Sequence, residues 1–354
     1  MAVSQVFSIK TVRRAVATSA MAAVIIVMPA LSAIVQAVEI KGAGATFPDL
    51  LYQEYIKQYR SANSKDRVSY QAIGSGGGIR QTIAGIVQFG GSDAGMTAAQ
   101  QGQGEAGKRG IVLVPTAGGS VVPVINVSGV SDLKLSREAL AGIFSGKVTK
   151  WNDAKIKDAN PGLNLPDAEI KTVVRADSSG TTFIFVNHLA TVDRYFKGSI
   201  GGSASTAPTW KVDGLKGRGN AGVASLVKQT PNSIGYVEYS YAKKNSLTEA
   251  SVQDASGSYV KADLQKTNDA IASMSFGSDL QVFDGNPSKG YPITGVTWMM
   301  FYKKYKNAEE ANAVKAWANW VLGNGQNLNN GLDFAKIPDS IVGQARSAVN
   351  QIGN

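Results

Sequence analysis

The chain is 354 residues long, 44% hydrophobic and 18% charged, with ample apolar material for a packed core and little of the signature of disorder. It has no cysteine and a single histidine, His188, which excludes disulfide scaffolds, thiolate metal centres, cysteine nucleophiles and any site needing two His ligands. Its 36 basic against 26 acidic residues give a formal charge of +10, which suits an anionic partner: a nucleic acid, a membrane surface or a small anion.

In chain order, residues 1–37 read as an export signal. Lys10, Arg13 and Arg14 stand without an acid, an apolar run follows from Ala15 to Val35, and Val35-Gln36-Ala37 ends it with small residues at −3 and −1. The run approaches the ~20 residues that span a bilayer, but Pro29 and the Val-x-Ala ending favour cleavage over an anchor. Cleavage after Ala37 leaves 317 of the 354 residues and lowers the charge from +10 to +7. No cysteine is there to carry a lipid anchor. The basic residues beyond the leader are dispersed, as in Lys243-Lys244 and Lys303-Lys304, and form no stripe of the kind that tracks nucleic acid.

The rest alternates strand and helix patterns. A helix is expected over Phe47–Tyr59, a strand over Arg67–Ile73, a weaker helix over Arg80–Val87 and a loop over Gly90–Gly110. Strands are expected at Ile111–Ala117, Val121–Val127 and Ile170–Ala176, with a weaker helix at Arg137–Ser145 and loops at Gly198–Pro208 and Asp284–Pro292. A helix at Val223–Gln229 and strands at Ser233–Tyr239 and Thr297–Tyr302 follow. The clearest helix is Ala308–Leu322, with Asn307 and Glu310 as a capping box and Gly323 as its stop. This alternation predicts an α/β fold with mostly parallel sheets flanked by helices.

One feature recurs three times. Gly42–Pro48 (GAGATFP), Gly74–Gly78 (GSGGG) and Ser178–Thr182 (SSGTT) each follow a strand and open a helix. Each sets small residues, free backbone N–H groups and a hydroxyl at a positive helix end, an arrangement that binds oxyanions as readily as it caps. Arg175 lies just before the third turn and can offer an oxyanion a charged fork, with Asp177 positioned to orient it. Asp93 sits in the Gly-rich stretch 89–96, read alone as a turn residue.

These residues resemble the periplasmic phosphate-binding proteins of Pst-type ABC phosphate importers. The pattern G-A-G-A-T-F-P, a G-S-G-x-G turn, an S-D loop, I-F-x-G-x-x-x-x-W-N-D and R-x-D-x-S-G-T appears as Gly42–Pro48, Gly74–Gly78, Ser92-Asp93, Ile143–Asp153 and Arg175–Thr181. Gly217–Ala224 and Ser233–Tyr239 also match, so the ordered set covers nearly all of the chain beyond the leader. Ser178 stands where the family often has Gly and Met96 where it often has Pro, and neither change removes a ligand.

The resemblance implies the two-lobed periplasmic binding protein fold (type II), with two crossover segments near Pro115–Ser120 and Ser288–Ile293. Lobe I is then 38–118 plus 291–354, and lobe II is 119–290. Thr46, Phe47 and Ser75 are implied as donors to phosphate from the first two turns. Asp93 is implied as acceptor of the phosphate proton, Arg175 as the charged contact held by Asp177, and Ser179, Gly180 and Thr181 as the third cradle. No catalytic residue, metal or cofactor is implied, and the partners are inorganic phosphate, with arsenate as a cross-binding oxyanion, and an inner-membrane permease. The expected molecule is a periplasmic monomer. The chemistry is coherent: phosphate keeps at least one proton at neutral pH and sulfate keeps none, so a buried Asp93 carboxylate discriminates against sulfate.

Other motifs are weaker. Gly217–Gly222 matches G-x-G-x-x-G but lacks a strong preceding strand, so a dinucleotide site is not favoured. His188 and Trp151, Trp210, Trp298, Trp317 and Trp320 read as packing residues. A receptor for another oxyanion such as sulfate or molybdate, and a secreted phosphatase or hydrolase using Ser75 or Ser179, stand as rival readings. The second lacks a convincing base and a metal set.

Overall fold

Among residues 37–354, which the computed structural model describes, the parallel βα units predicted from the sequence flank a central antiparallel core. The export leader expected at residues 1–37 lies, apart from Ala37, outside the described residues. The strands are β1 (Val38–Gly44), β2 (Asp66–Ala72), β3 (Phe89–Ser92), β4 (Ile111–Asn126), β5 (Lys134–Leu135), β6 (Lys171–Arg175), β7 (Leu215–Gly217), β8 (Ser233–Glu238), β9 (Thr248–Glu249), β10 (Ser251–Gln253), β11 (Tyr259–Val260) and β12 (Thr294–Tyr302). The main sheet has the order β2-β1-β3-β12-β4-β8-β6-β7, with β9 beside β4, and a small sheet has the order β11-β10-β5. β1 runs parallel to β2 and β3, and β6 parallel to β7 and β8. β12 and β4 run antiparallel to their neighbours in the middle.

The two strands expected at Ile111–Ala117 and Val121–Val127 are one continuous strand, β4, of 16 residues. Gly118-Gly119-Ser120 separated the two expected strands, and Pro115 lies within the first. Pro115 is tolerated because it lies where the β4–β12 register slips, between Thr297 and Trp298. The first part of β4, to Ser120, pairs with β12, and the rest, from Val121 to Asn126, pairs with β8. One strand therefore belongs to both halves of the sheet.

β3 lies inside the stretch expected to be a loop. Phe89-Gly90-Gly91-Ser92 has no β-branched residue, yet it is buried throughout between β1 and β12. Space explains the glycines: a Cβ at Gly91 would collide with the Tyr70 hydroxyl, and one at Gly90 with Thr82 and Met300. Short helices Ala98–Gln101 and Gly104–Arg109 occupy the rest of that stretch.

The helix expected at Phe47–Tyr59 is shifted to Asp49–Ala62, with Pro48 at its cap, and buries Leu51, Tyr52, Tyr55, Ile56 and Tyr59 at helical spacing. Tyr55 and Tyr59 meet Trp320 edge-on, and Tyr59 meets Trp317 likewise. The Ala308–Trp320 helix is capped by Asn307 as expected, but it runs on through a wider turn at Val321–Gly325, so Gly323 does not stop it. Trp151, Trp298 and Trp317 are fully buried, and Trp210 packs against Phe144 and Tyr236. Each such aromatic contributes about 2 kcal/mol or more by leaving water. His188 is buried and its Nδ1 meets the Gly285 carbonyl at 2.8 Å, so that nitrogen carries the proton; burial lowers its pKa to about 4.

Candidate functional site

Four βα junctions bring the site together. β1 ends at Gly44 and leads through Thr46 and Phe47 into the Asp49–Ala62 helix; β2 leads through Gly74 into the Ser75–Ala84 helix. β6 ends at Arg175 and leads through Ser179, the N-cap, into the Gly180–Val192 helix. The fourth, unanticipated, junction joins β7 through Arg218 to the Gly219–Gln229 helix. Gly74 at φ 88° and Gly219 at φ 66° take conformations that disfavour other residues, which lets each chain turn sharply from strand to helix. The helix starts thus lie at the carboxyl ends of parallel strands, where open α/β sheets bind ligands.

The implied ligand residues come together, contributed by both halves of the sheet. Ser75 Oγ accepts from the Gly180 N–H at 3.0 Å and faces Asp93 Oδ2 at 3.4 Å. Arg175 Nη2 donates to Thr46 Oγ1 at 3.2 Å. The Gly76 N–H donates to the Ser178 carbonyl at 3.0 Å. A Cβ at Gly180 would press on the Asp93 carboxylate and on Ser75 Oγ. Ser179 accepts from the Thr182 N–H at 3.1 Å as a cap, which leaves its own proton to donate. Phe47 turns its ring into the core against Phe334, so its contribution to a ligand is limited to its backbone.

Arg175 is held rigidly. Asp177 takes Nε at 2.9 Å and Nη2 at 2.6 Å in a two-point clamp, and its Oδ1 also accepts from the Gly219 N–H at 2.9 Å. Burial pushes the Asp177 carboxyl up, but the Arg175 and Gly219 donors outweigh it and hold it below the ordinary carboxylate range. Arg175 Nη1 is buried and has no partner among the described residues. A buried guanidinium N–H without an acceptor costs more than ~1 kcal/mol, so it points to an oxyanion as its missing partner.

Asp93 is 1% exposed. Burial raises its pKa to about 7, against the opposing pull of Thr297, Arg175 and Ser75. The Thr297 hydroxyl donates to Oδ1 at 2.7 Å, which leaves Oδ2 facing the site beside Ser75 and Gly180. A lone carboxylate set among donors accepts a proton from a ligand and repels one that has none to give.

Asn220, Thr297 and Tyr241 were not anticipated. Asn220 contacts both Thr46 and Thr181, and the Tyr241 hydroxyl donates to the Thr46 carbonyl at 2.9 Å. Asn220 lay in the G-x-G-x-x-G segment, whose glycines serve here for a tight helix start: a Cβ at Gly217 would meet the backbone of Val223. Thr297 carries no local signal, because its role depends on β12 pairing with β3.

Comparison with known proteins places this geometry in context. Residues 29–324 match the family model described as a PBP superfamily domain. Phosphate-binding protein PstS of Xylella fastidiosa is 37% identical over 315 residues, covering 87% of this chain and 84% of that protein. Phosphate-binding protein PstS of Haemophilus influenzae is 37% identical over 318 residues, covering 88% and 92%. Among solved structures, a high-affinity periplasmic phosphate-binding protein (PfluDING) bound with phosphate superposes with a TM-score of 0.72 at 22% identity, covering 90% of this chain and 99% of that one. A phosphate-binding protein from Stenotrophomonas maltophilia gives 0.69 at 21% identity, covering 88% and 94%. At these identities the solved structures establish the shared fold.

Proposed function

The chain belongs to the PstS phosphate-binding proteins of the PBP superfamily, and on that footing we propose that it captures inorganic phosphate between the two halves of the sheet and delivers it to an ABC importer permease. It is a binding protein and not an enzyme. The observation that carries the reading is the donor shell around one buried carboxylate: Thr46, Ser75, Arg175, Ser179, Gly180 and Thr181 offer N–H or O–H groups, Phe47 adds its backbone, and Asp93 alone accepts. Arg175 Nη1, buried without a partner among the described residues, supports the same conclusion. Phosphate satisfies both kinds of group, because its oxygens accept and its remaining proton donates to Asp93.

Lobe I is assigned to 38–118 with 291–354 and lobe II to 119–290, with crossovers near Pro115–Ser120 and Ser288–Ile293. The change of β4 partner at Ser120–Val121 supports this division. Phosphate then bridges lobes and favours their closure. Export to the periplasm with cleavage after Ala37, a monomeric state and cross-binding of arsenate complete the proposal. The rival hydrolase using Ser75 or Ser179 has no histidine base, since the lone histidine is buried with Nδ1 committed to Gly285. Calorimetry of the mature chain with phosphate and then sulfate, beside a phosphomonoester assay, tests the reading. Tight phosphate binding without turnover is expected; turnover, or no phosphate binding, would overturn it.

A further inference from the structure

We infer that Asn220 is a positioning residue that biases the direction of two hydroxyl protons, disposing Thr46 and Thr181 to donate toward the bound anion. The inference rests on the phosphate-binding reading and deepens it. Asn220 is fully buried near the start of the fourth helix. Its side chain makes three hydrogen bonds. Oδ1 accepts from the Glu238 backbone N–H at 3.0 Å. Nδ2 donates to Thr46 Oγ1 at 3.0 Å and to Thr181 Oγ1 at 3.1 Å. The orientation of the amide is decided by chemistry: a backbone N–H only donates, so the atom facing Glu238 is the oxygen and the nitrogen faces the two threonines.

A hydroxyl has one proton and two lone pairs. Thr46 Oγ1 is approached by three donors that cannot accept: Asn220 Nδ2, the Asn220 backbone N–H at 3.2 Å and Arg175 Nη2 at 3.2 Å. Its lone pairs are used and its proton must point elsewhere. Thr181 Oγ1 has Asn220 Nδ2 as its hydrogen-bond donor, and its proton is left to donate. One amide group thus spends both of its N–H bonds fixing two hydroxyls that come from separate junctions, after β1 and after β6. A hydroxyl free to rotate could meet an anion with either a proton or a lone pair; Thr46 is held to the proton, and Thr181, with one lone pair taken by Asn220, is biased toward it. The arrangement spares the ligand the cost of ordering them.

The contrast between two substitutions tests this. Asn220→Asp keeps the shape and the oxygen that accepts from Glu238, but a carboxylate accepts where the amide donated, so both hydroxyl protons turn toward it. Asn220→Ala removes the side chain, yet Thr46 keeps two donors, from Arg175 and the backbone, and only Thr181 is released. The expected order is therefore a far larger loss of phosphate affinity for Asp, on the order of 10³-fold, than for Ala, on the order of 10-fold. A residue that merely braces Glu238 predicts the reverse, since Asp retains that bond and Ala does not. Added negative charge is separated from proton direction by repeating Asn220→Asp in a Thr46→Val, Thr181→Val background. There the hydroxyls are gone and the Asp penalty should shrink at least tenfold, a coupling read by a double-mutant cycle in calorimetry. Should Asn220→Asp fail to fold, the same coupling is read between Asn220→Ala and Thr181→Val. Additive losses in the cycle, or Ala worse than Asp, overturn the inference. Failure of the unsubstituted chain to bind phosphate overturns the functional reading instead, so the two failures are distinct.

Discussion

Replacing Asp93 by Asn removes one buried charge and little else. An Asn oxygen still accepts from Thr297, which donates to Oδ1 at 2.7 Å, and its amide nitrogen takes the place of Oδ2 near Ser75 Oγ. Burial lifts the Asp93 carboxyl from 3.8 to about 7 in the folded protein, with Thr297, Arg175 and Ser75 pulling the other way. In the unfolded chain it ionises at its ordinary value. Stability that is fully present below pH 3.8 is therefore lost as pH rises through about 7. A rise of about three in pKa, at about 1.4 kcal/mol for each, amounts to about 4 kcal/mol at pH 8. The Asn variant escapes this loss, so in phosphate-free buffer at pH 8 it should be the more stable protein by up to about 4 kcal/mol. The gap should close toward pH 4. Urea unfolding of both proteins at intervals from pH 4 to 8.5 measures it. Glu249, which burial raises to about 7, titrates in both proteins and cancels in the difference, whereas Glu238, which burial raises to about 8 with a smaller push from the Asp93 charge, relaxes a little in the Asn variant and widens the gap at high pH. A gap that does not change with pH, or a variant less stable at pH 8, refutes the reasoning. The same variant should let sulfate compete at least ~10-fold better against phosphate, because the carboxylate no longer faces an unprotonated oxyanion.

Three further outcomes follow from the geometry. Gly180→Ala places a methyl group against Asp93 and Ser75, 2.5 Å from Ser75 Oγ, and should weaken phosphate binding by on the order of 100-fold or more in calorimetry while far-ultraviolet circular dichroism stays unchanged. Arg175→Lys cannot reproduce the two-point clamp on Asp177, so affinity should drop by roughly 100-fold; retention of affinity within threefold would show that a point charge suffices. The association rate of phosphate, followed by stopped flow, should fall as salt rises if the surplus of basic residues steers the anion, and a flat profile would assign that charge no part in capture.

The helix-opening turns were legible because local chemistry marks them: a glycine or proline, a hydroxyl and a helix start occur within a few residues at Gly42–Pro48, Gly74–Gly78 and Ser178–Thr182. Asp177 was legible for the same reason, since its partner is two residues away. Asn220 and Thr297 were not, because what they touch lies 174 and 204 residues distant along the chain. β3 was missed because glycine has no β-propensity to read; it is a strand because β1 and β12 pair with it on either side, and Tyr70, Thr82 and Met300 leave room there only for glycine. β4 was divided in two because Gly118-Gly119-Ser120 interrupts its apolar run, and only the pairing with β12 on one side of that point and β8 on the other shows the strand to be continuous.

The unbroken β4 has a consequence for how the molecule comes apart. A flexible tether would let either half of the sheet melt alone. Here Ile111–Ser120 is bonded to β12 and Val121–Asn126 to β8 within one length of backbone, so fraying in one half strips partners from the next residue of the other. The sheet is therefore expected to unfold as a single cooperative element with a shared spine, and neither half is expected to stand if cut free.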